Sequence, residues 1–308
     1  MAYTRCDDTG VAYYFSAKDF PTLFAEEYDF TSSRGDLLRG FLYSYPEKNP
    51  SRLVVFDHGF GGGHLSYMKE IELLARRGYL VFAYDHTGCM RSGGESPNGM
   101  AQSLSDLNDA LLKIKCDERL AGFDVSVVGH SWGGFSTMNI ASLHLEISHV
   151  VVLSGFVSVE LLINSYFSGI MKGYRRAVMA LEREANPRFV DFSGIESLKS
   201  SPVKAQLIYS EDDRMCKKNP HYDLLLSELS GRENTELILL KNKGHNPNYT
   251  EDAVKYLGAY VAERTRLIKK NGLSTKEARE AFVASYDWDR MTAQDESVWQ
   301  RIFSFLES

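Results

Sequence analysis

The chain has 308 residues, 44% hydrophobic and 25% charged, with a formal net charge of −6. This is ordinary globular material, long enough for one large domain with an insertion or for two smaller domains. The acidic balance argues against nucleic acid or an anionic membrane surface as the main partner. No apolar run approaches the roughly 20 residues that a membrane-spanning helix needs.

Residues Met1 to Gly10 are polar and lack the basic-then-apolar order of a signal peptide. The four cysteines, Cys6, Cys89, Cys116 and Cys216, are scattered, with no C-x-x-C pair and no histidine at zinc-finger spacing. Unpaired thiols in a reducing cytoplasm are the expectation, with no metal and no cofactor.

Two apolar runs, Leu23 to Phe30 and Leu37 to Tyr43, flank the turn cluster Ser32 to Asp36 and predict an antiparallel hairpin. After a loop at Pro46 to Ser51, the run Leu53 to Phe56 reads as a strand covered on both faces. Met68, Ile71, Leu74 and Ala75 recur at helical spacing, and Gly78 supplies a stop. Tyr79 to Tyr84 predicts a second buried strand, and Leu104, Leu107, Leu111 and Ile114 a second helix. Val125 to Val128 is a third strand; Phe135, Met138 and Leu145 continue a helix behind it, and Val150 to Leu153 make a fourth strand. This alternation implies a mostly parallel sheet with helices on both faces.

The rhythm breaks between Phe156 and Lys199, where a helical, apolar-rich pattern is interrupted at Asn186-Pro187. Its apolar residues exceed what one buried face needs, so it is expected to form a small helical cap over the strand ends. Sheet and helix then resume at Ala205 to Tyr209, Leu224 to Leu229 and Leu237 to Leu240, and a closing helix carries Ala253, Tyr256, Leu257 and Tyr260. The expected organisation is an N-terminal arm (1–22), a core (23–156 and 200–262), a cap (157–199) and a C-terminal helical extension (263–308). In the last of these Val298, Trp299, Ile302, Phe303 and Leu306 form an apolar face that should dock on the core.

The chemistry centres on Gly129-His130-Ser131-Trp132-Gly133, which follows a β-branched strand and opens a helix. That context is a nucleophile elbow, with glycines where a sharp strand-to-helix turn leaves no room for a Cβ. A serine hydroxyl needs a base, and a histidine after the last strand, His245, is the candidate. A carboxylate must orient that imidazole, and Asp212 and Asp213 both follow the preceding strand. Serine, acid and histidine then occur in the chain order expected of this architecture. The backbone N–H of Trp132, next after the nucleophile, is one candidate oxyanion donor. Gly61-Gly62-Gly63 lacks the Lys-Ser/Thr of a phosphate loop.

From about residue 24 to 262 the sequence resembles the α/β-hydrolase superfamily. The resemblance is carried by His58-Gly59-Phe60-Gly61, Tyr84-Asp85-His86-Thr87-Gly88 with Ser92, Gly129-His130-Ser131-Trp132-Gly133, and Gly244-His245. It is similar to the bacterial branch with monoglyceride-lipase-like and serine-aminopeptidase-like hydrolases, departing from it at Met90, where glycine is usual. The resemblance implies Asp213 as the acid and the Phe60 N–H as the second oxyanion donor, with His58 and His130 as scaffold residues beside the site. It implies an acyl-enzyme on Ser131. The expected substrate is a small-molecule carboxylic ester with a small to medium apolar acyl group or an aromatic ester. A thioesterase, an aminopeptidase using a cap acid (Glu160, Glu182 or Glu184), or a ligand receptor on a hydrolase scaffold are the alternatives.

Overall fold

Leu53, Val55 and Val127 point into one apolar cluster, while their neighbours Val54, Phe56 and Val128 point into another. A strand that alternates between two cores must be apolar at every position, which is why these runs carry no charge. In the computed structural model, which describes residues 3–48 and 50–308, four short strands lead: β1 (Phe24–Glu27), β2 (Phe30–Thr31), β3 (Leu37–Leu38) and β4 (Gly40–Ser44). There follow β5 (Arg52–Asp57), α1 (Met68–Arg77), β6 (Leu80–Tyr84), α2 (Gln102–Lys115), β7 (Asp124–His130), α3 (Trp132–Ile140) and β8 (His149–Leu153). An insertion carries α4 (Val159–Tyr166), α5 (Arg175–Ala185) and α6 (Gly194–Lys199). The chain closes with β9 (Lys204–Ser210), α7 (Asp223–Leu229), β10 (Thr235–Leu240), α8 (Glu251–Lys269), α9 (Lys276–Ala284), α10 (Trp288–Met291) and α11 (Glu296–Leu306).

Among the described residues eight strands form one sheet in the order β1-β4-β6-β5-β7-β8-β9-β10. β4 runs antiparallel to β1 and β6, and the strands from β6 to β10 are parallel. Helices α2, α3 and the insertion pack on one face of this sheet; α1 and α11 pack on the other. The carboxyl ends of β5, β7, β9 and β10 therefore share one edge, where chemistry gathers in an open parallel sheet.

The N-terminal hairpin forms as two short ladders, Phe24–Glu27 against Phe41–Ser44 and Phe30–Thr31 against Leu37–Leu38. Gly78 ends α1 in a left-handed conformation (φ 111°), its N–H returning to the carbonyls of Leu74 and Ala75. Met1 and Ala2 of the arm and Asn49 of the loop at 46–51 lie outside the described residues.

Two expectations need correction. The helix after the elbow ends at Ile140, and Leu145 lies exposed in the turns that follow, because β8 must begin beside β7 only a few residues later. The boundary expected at 262/263 falls inside α8, which runs unbroken to Lys269 because no glycine or proline interrupts its second half. The segment beyond it forms three helices, with Val298, Trp299, Ile302 and Leu306 of α11 buried in the same cluster as Ile71 and Leu74 of α1. Among the described residues no helix is long and apolar enough to cross a membrane.

Candidate active site

β7 delivers the chain to Ser131, which adopts φ 56°, ψ −108° and opens α3. A serine held there stores on the order of 1–3 kcal/mol of backbone strain, sustained by its surroundings. The Ser131 N–H donates to the carbonyl of Leu153 on β8 at 2.9 Å. A Cβ on Gly133 would overlap the carbonyl of Asp57, so α3 can approach the end of β5 only with glycine there.

His245 Nε2 lies 2.8 Å from Ser131 Oγ, and its Nδ1 lies 2.9 and 3.1 Å from the two carboxylate oxygens of Asp213. With Nδ1–H donating to the carboxylate, Nε2 is left to accept the serine proton. Asp213 is buried and also accepts the N–H groups of Met215 (2.7 Å) and Cys216 (3.1 Å). Burial alone would raise its pKa; the hydrogen bond and charge of His245 and the loop amide outweigh this and hold it below the ordinary carboxylate value. Asp212 points elsewhere. Its Oδ1 accepts the Gly244 N–H at 3.1 Å, one residue before His245, so it tethers the loop on which the imidazole rides.

Trp132 is the first residue of α3, so its N–H has no acceptor within the helix. Among the described residues the Phe60 N–H has no acceptor either. The two side chains touch, with ring centroids 5.2 Å apart, and Trp132 follows Ser131 directly in the chain. Positive partial charge at the start of α3 adds to the field there.

This geometry can be set beside known proteins. The sequence model of the family described as serine aminopeptidase, S33 (Hydrolase_4), matches residues 48–220, more than half of the chain. The chain belongs to this family of α/β-hydrolases. Esterase Pf2001 of Pyrococcus furiosus is similar in structure, with a TM-score of 0.62 at 18% identity over 87% of this chain and 97% of that one. The acylaminoacyl peptidase of Pyrococcus horikoshii superposes with a TM-score of 0.55 at 18% identity, covering 74% of this chain and 38% of the larger one. A curated relative from Rhizobium rhizogenes, named "Putative carbamate hydrolase RutD", is 28% identical over 107 residues, or 35% of this chain. That stretch spans only 39% of the relative's own length.

Beneath the candidate site lies a buried charge cluster. His86 sits between Asp57 (Nε2 to Oδ1, 2.8 Å) and Asp106 (Nδ1 to Oδ2, 3.2 Å), all three side chains fully buried. Its ring lies 4.7 Å from that of Trp132. Burial pulls its pKa down, but the two carboxylates prevail and raise it to about 9, so His86 is an imidazolium at neutral pH. His58 is the opposite case. Burial, with the charge on His86, lowers its pKa to about 3, and its Nε2 accepts the backbone N–H of His86 at 3.0 Å.

Met90 has φ 44°, in the left-handed region that glycine occupies most easily. The chain thus keeps the backbone turn with a non-glycine residue. Of the three acids of the insertion, Glu160 and Glu184 are exposed. Glu182 is buried, with one oxygen on Tyr3 Oη and the other accepting the Met100 N–H at 2.8 Å. It therefore ties the insertion to the arm and to the loop whose Met100 carbonyl accepts Trp132 Nε1–H (2.7 Å). Among the described residues no group of three or more His, Cys, Asp or Glu side chains is arranged to hold a metal ion. Sequence reasoning missed Tyr67, whose hydroxyl joins two parts of the site, and the tethering part of Asp212. Neither carries a sequence signal, since a tyrosine before a helix and an acid in a turn are both commonplace.

Proposed function

We propose that the protein is a serine carboxylesterase. The reading rests on one arrangement above all: Ser131, His245 and Asp213 in a single hydrogen-bonded file, together with the Phe60 and Trp132 amides, which have no acceptor among the described residues. Ser131 Oγ attacks the ester carbonyl as its proton passes to His245 Nε2, and Asp213 stabilises the imidazolium. The carbonyl oxygen, now negative, takes hydrogen bonds from Phe60 N–H and Trp132 N–H. His245 then gives its proton to the departing alkoxide, leaving an acyl-enzyme, and activates the water that releases the acid. The protein is proposed to act on small-molecule esters in the cytoplasm.

The insertion at 157–199 is proposed to roof this site. Tyr166 Oη on α4 reaches Met215 Sδ, two residues past Asp213, at 3.3 Å, and Glu182 on α5 holds the Met100 loop against Trp132. Ile170, Met171, Tyr174 and Phe60 expose apolar surface, which favours a small to medium apolar acyl group or an aromatic ester. Peptidase chemistry is the second reading, and the family match favours it. An aminopeptidase needs a free acid for the substrate amine; the buried Glu182 is already doubly engaged, which leaves the exposed Glu160 and Glu184 for that role. Multi-turnover hydrolysis of 4-nitrophenyl butyrate, abolished in Ser131→Ala, supports the esterase. Preference for aminoacyl amides would support the peptidase, and stoichiometric adduct formation without turnover a receptor.

A further inference from the structure

A chain of three hydrogen bonds runs behind the site without touching the reacting atoms. The Gly59 N–H donates to Tyr67 Oη (3.1 Å), Tyr67 Oη lies 2.8 Å from His130 Nδ1, and His130 Nε2 lies 2.7 Å from the carbonyl oxygen of His245. Each group has only one consistent role. A carbonyl can only accept, so His130 Nε2 carries hydrogen. The neutral ring then has its lone pair on Nδ1, so the Tyr67 hydroxyl donates there and uses its oxygen to accept Gly59. Burial, reinforced by the neighbouring His245, lowers the His130 pKa to about 3, so the ring stays neutral and the direction of the chain cannot reverse.

We propose that Tyr67 and His130 are positioning residues that hold the Phe60 amide and the His245 imidazole in mutual register. The inference rests on the proposed roles of Ser131, His245 and Phe60. One end of the chain is the backbone immediately before Phe60; the other is the backbone of His245 itself. Among the described residues no hydrogen bond joins these two loops directly, and they follow β5 and β10, four places apart in the sheet; the loop after β10 is also tied to α1, through Asn248 and Glu70. The links are rigid. Tyr67 packs on Phe56 (5.3 Å between centroids) and immediately precedes α1, whose Met68, Ile71 and Leu74 are buried, while the His130 ring lies 4.8 Å from that of His245. A Cβ on Gly59 would crowd both Tyr67 Oη and His130 Nδ1, so the close approach also requires glycine at 59. An error of about 1 Å in the placement of catalytic groups costs on the order of 100-fold in rate. A tether at this point therefore acts on turnover more than on binding.

The test uses the full chain with 4-nitrophenyl butyrate and active-site titration by a fluorophosphonate. Tyr67→Phe should lower kcat per titrated site by about 10- to 100-fold with KM changed by less than about threefold. His130→Leu should behave alike, and the double variant should be no worse than the poorer single one. His130→Gln, which can still donate to a carbonyl and accept from a hydroxyl, should recover part of the loss. A lower titre with normal kcat per site, or additive losses in the double variant, would overturn the inference. If wild-type turnover proves independent of Ser131, the esterase reading fails and the tether is judged by imidazole and amide NMR. Tyr67→Phe must then shift both the Gly59 amide and the His245 ring nitrogens; unmoved resonances overturn it.

Discussion

His245 Nε2 stands 2.8 Å from Ser131 Oγ although 114 residues separate the two positions. Their strands are not neighbours. β7 and β10 are three places apart in the sheet, about 14 Å at the usual spacing between strands. The loop after β10 closes this gap by folding back across the end of β9, where Ser210 Oγ accepts the Lys243 N–H (3.1 Å) and Asp212 the Gly244 N–H. Lys243 Nζ in turn holds the Tyr249 carbonyl (2.7 Å) and the Asp295 carboxylate. The base is therefore suspended between the strand that carries its acid and the C-terminal helices.

Ser131→Ala removes the proposed nucleophile while leaving the elbow backbone in place. Ester hydrolysis should fall by at least about a thousandfold and fluorophosphonate labelling should vanish, with the circular dichroism spectrum unchanged. Label surviving on the variant would put the nucleophile at another residue.

The two adjacent acids separate cleanly. Asp213→Asn leaves His245 Nδ1 without its carboxylate and should cost kcat on the order of 10³- to 10⁴-fold. Asp212→Asn only weakens the grip on Gly244, so a loss of about tenfold or less is expected. Steady-state rates for both variants decide the matter, and the opposite ranking would exchange their roles.

His86 makes stability depend on alkaline pH. Its folded-state pKa of about 9 lies above the ordinary imidazole value of 6.5. Its contribution is thus fully present below pH 6.5 and is lost as pH rises through 9. His86→Asn leaves Asp57 and Asp106 buried without their cation and should destabilise the fold by about 3–5 kcal/mol at pH 6. Urea unfolding at pH 6 and pH 9.5 should show the wild type losing ground to the variant at the higher pH.

Glu70 supplies a second, lower window. The carboxyl is buried in α1, accepts Asn248 Nδ2–H at 3.0 Å on one oxygen and has no hydrogen-bond partner among the described residues on the other. Burial raises its pKa from 4.5 to about 7. A raised carboxyl pKa stabilises the fold fully below pH 4.5, and that contribution is lost as pH climbs through 7. Glu70→Gln mimics the protonated form, so it should gain on the order of 1–3 kcal/mol over wild type at pH 8 and nothing at pH 4. Paired thermal melts at the two pH values measure this, and an equal shift at both would contradict it.

Much of the framework is legible along the chain because the forces that build it are local. Strands covered on both faces read as unbroken apolar runs, as at Leu53 to Phe56. A helix stop reads as a glycine, as at Gly78. The elbow reads as glycines around a serine because only a residue without Cβ fits against the Asp57 carbonyl. Leu145 misled because an apolar residue at helical spacing looks the same whether the helix continues or, as here, has already ended. The length of α8 was underestimated although its end is marked by a left-handed Asn271 (φ 54°) and Gly272, because its apolar stripe thins out after Tyr260 before that stop is reached.

By itself the sequence determined the mostly parallel sheet, the nucleophile elbow and the set of polar residues assembled at its edge. Those are consequences of hydrophobic period and backbone sterics, which act between near neighbours in the chain. Only the tertiary structure decided that Asp213 meets the imidazole while Asp212 holds its loop, that Glu182 is spent on Tyr3 and Met100, that His86 carries a charge, and that Tyr67 bridges Gly59 to His130. Each depends on which groups from distant segments share a volume without water, and there hydrogen-bond pairing and desolvation, set by the fold as a whole, assign the partners.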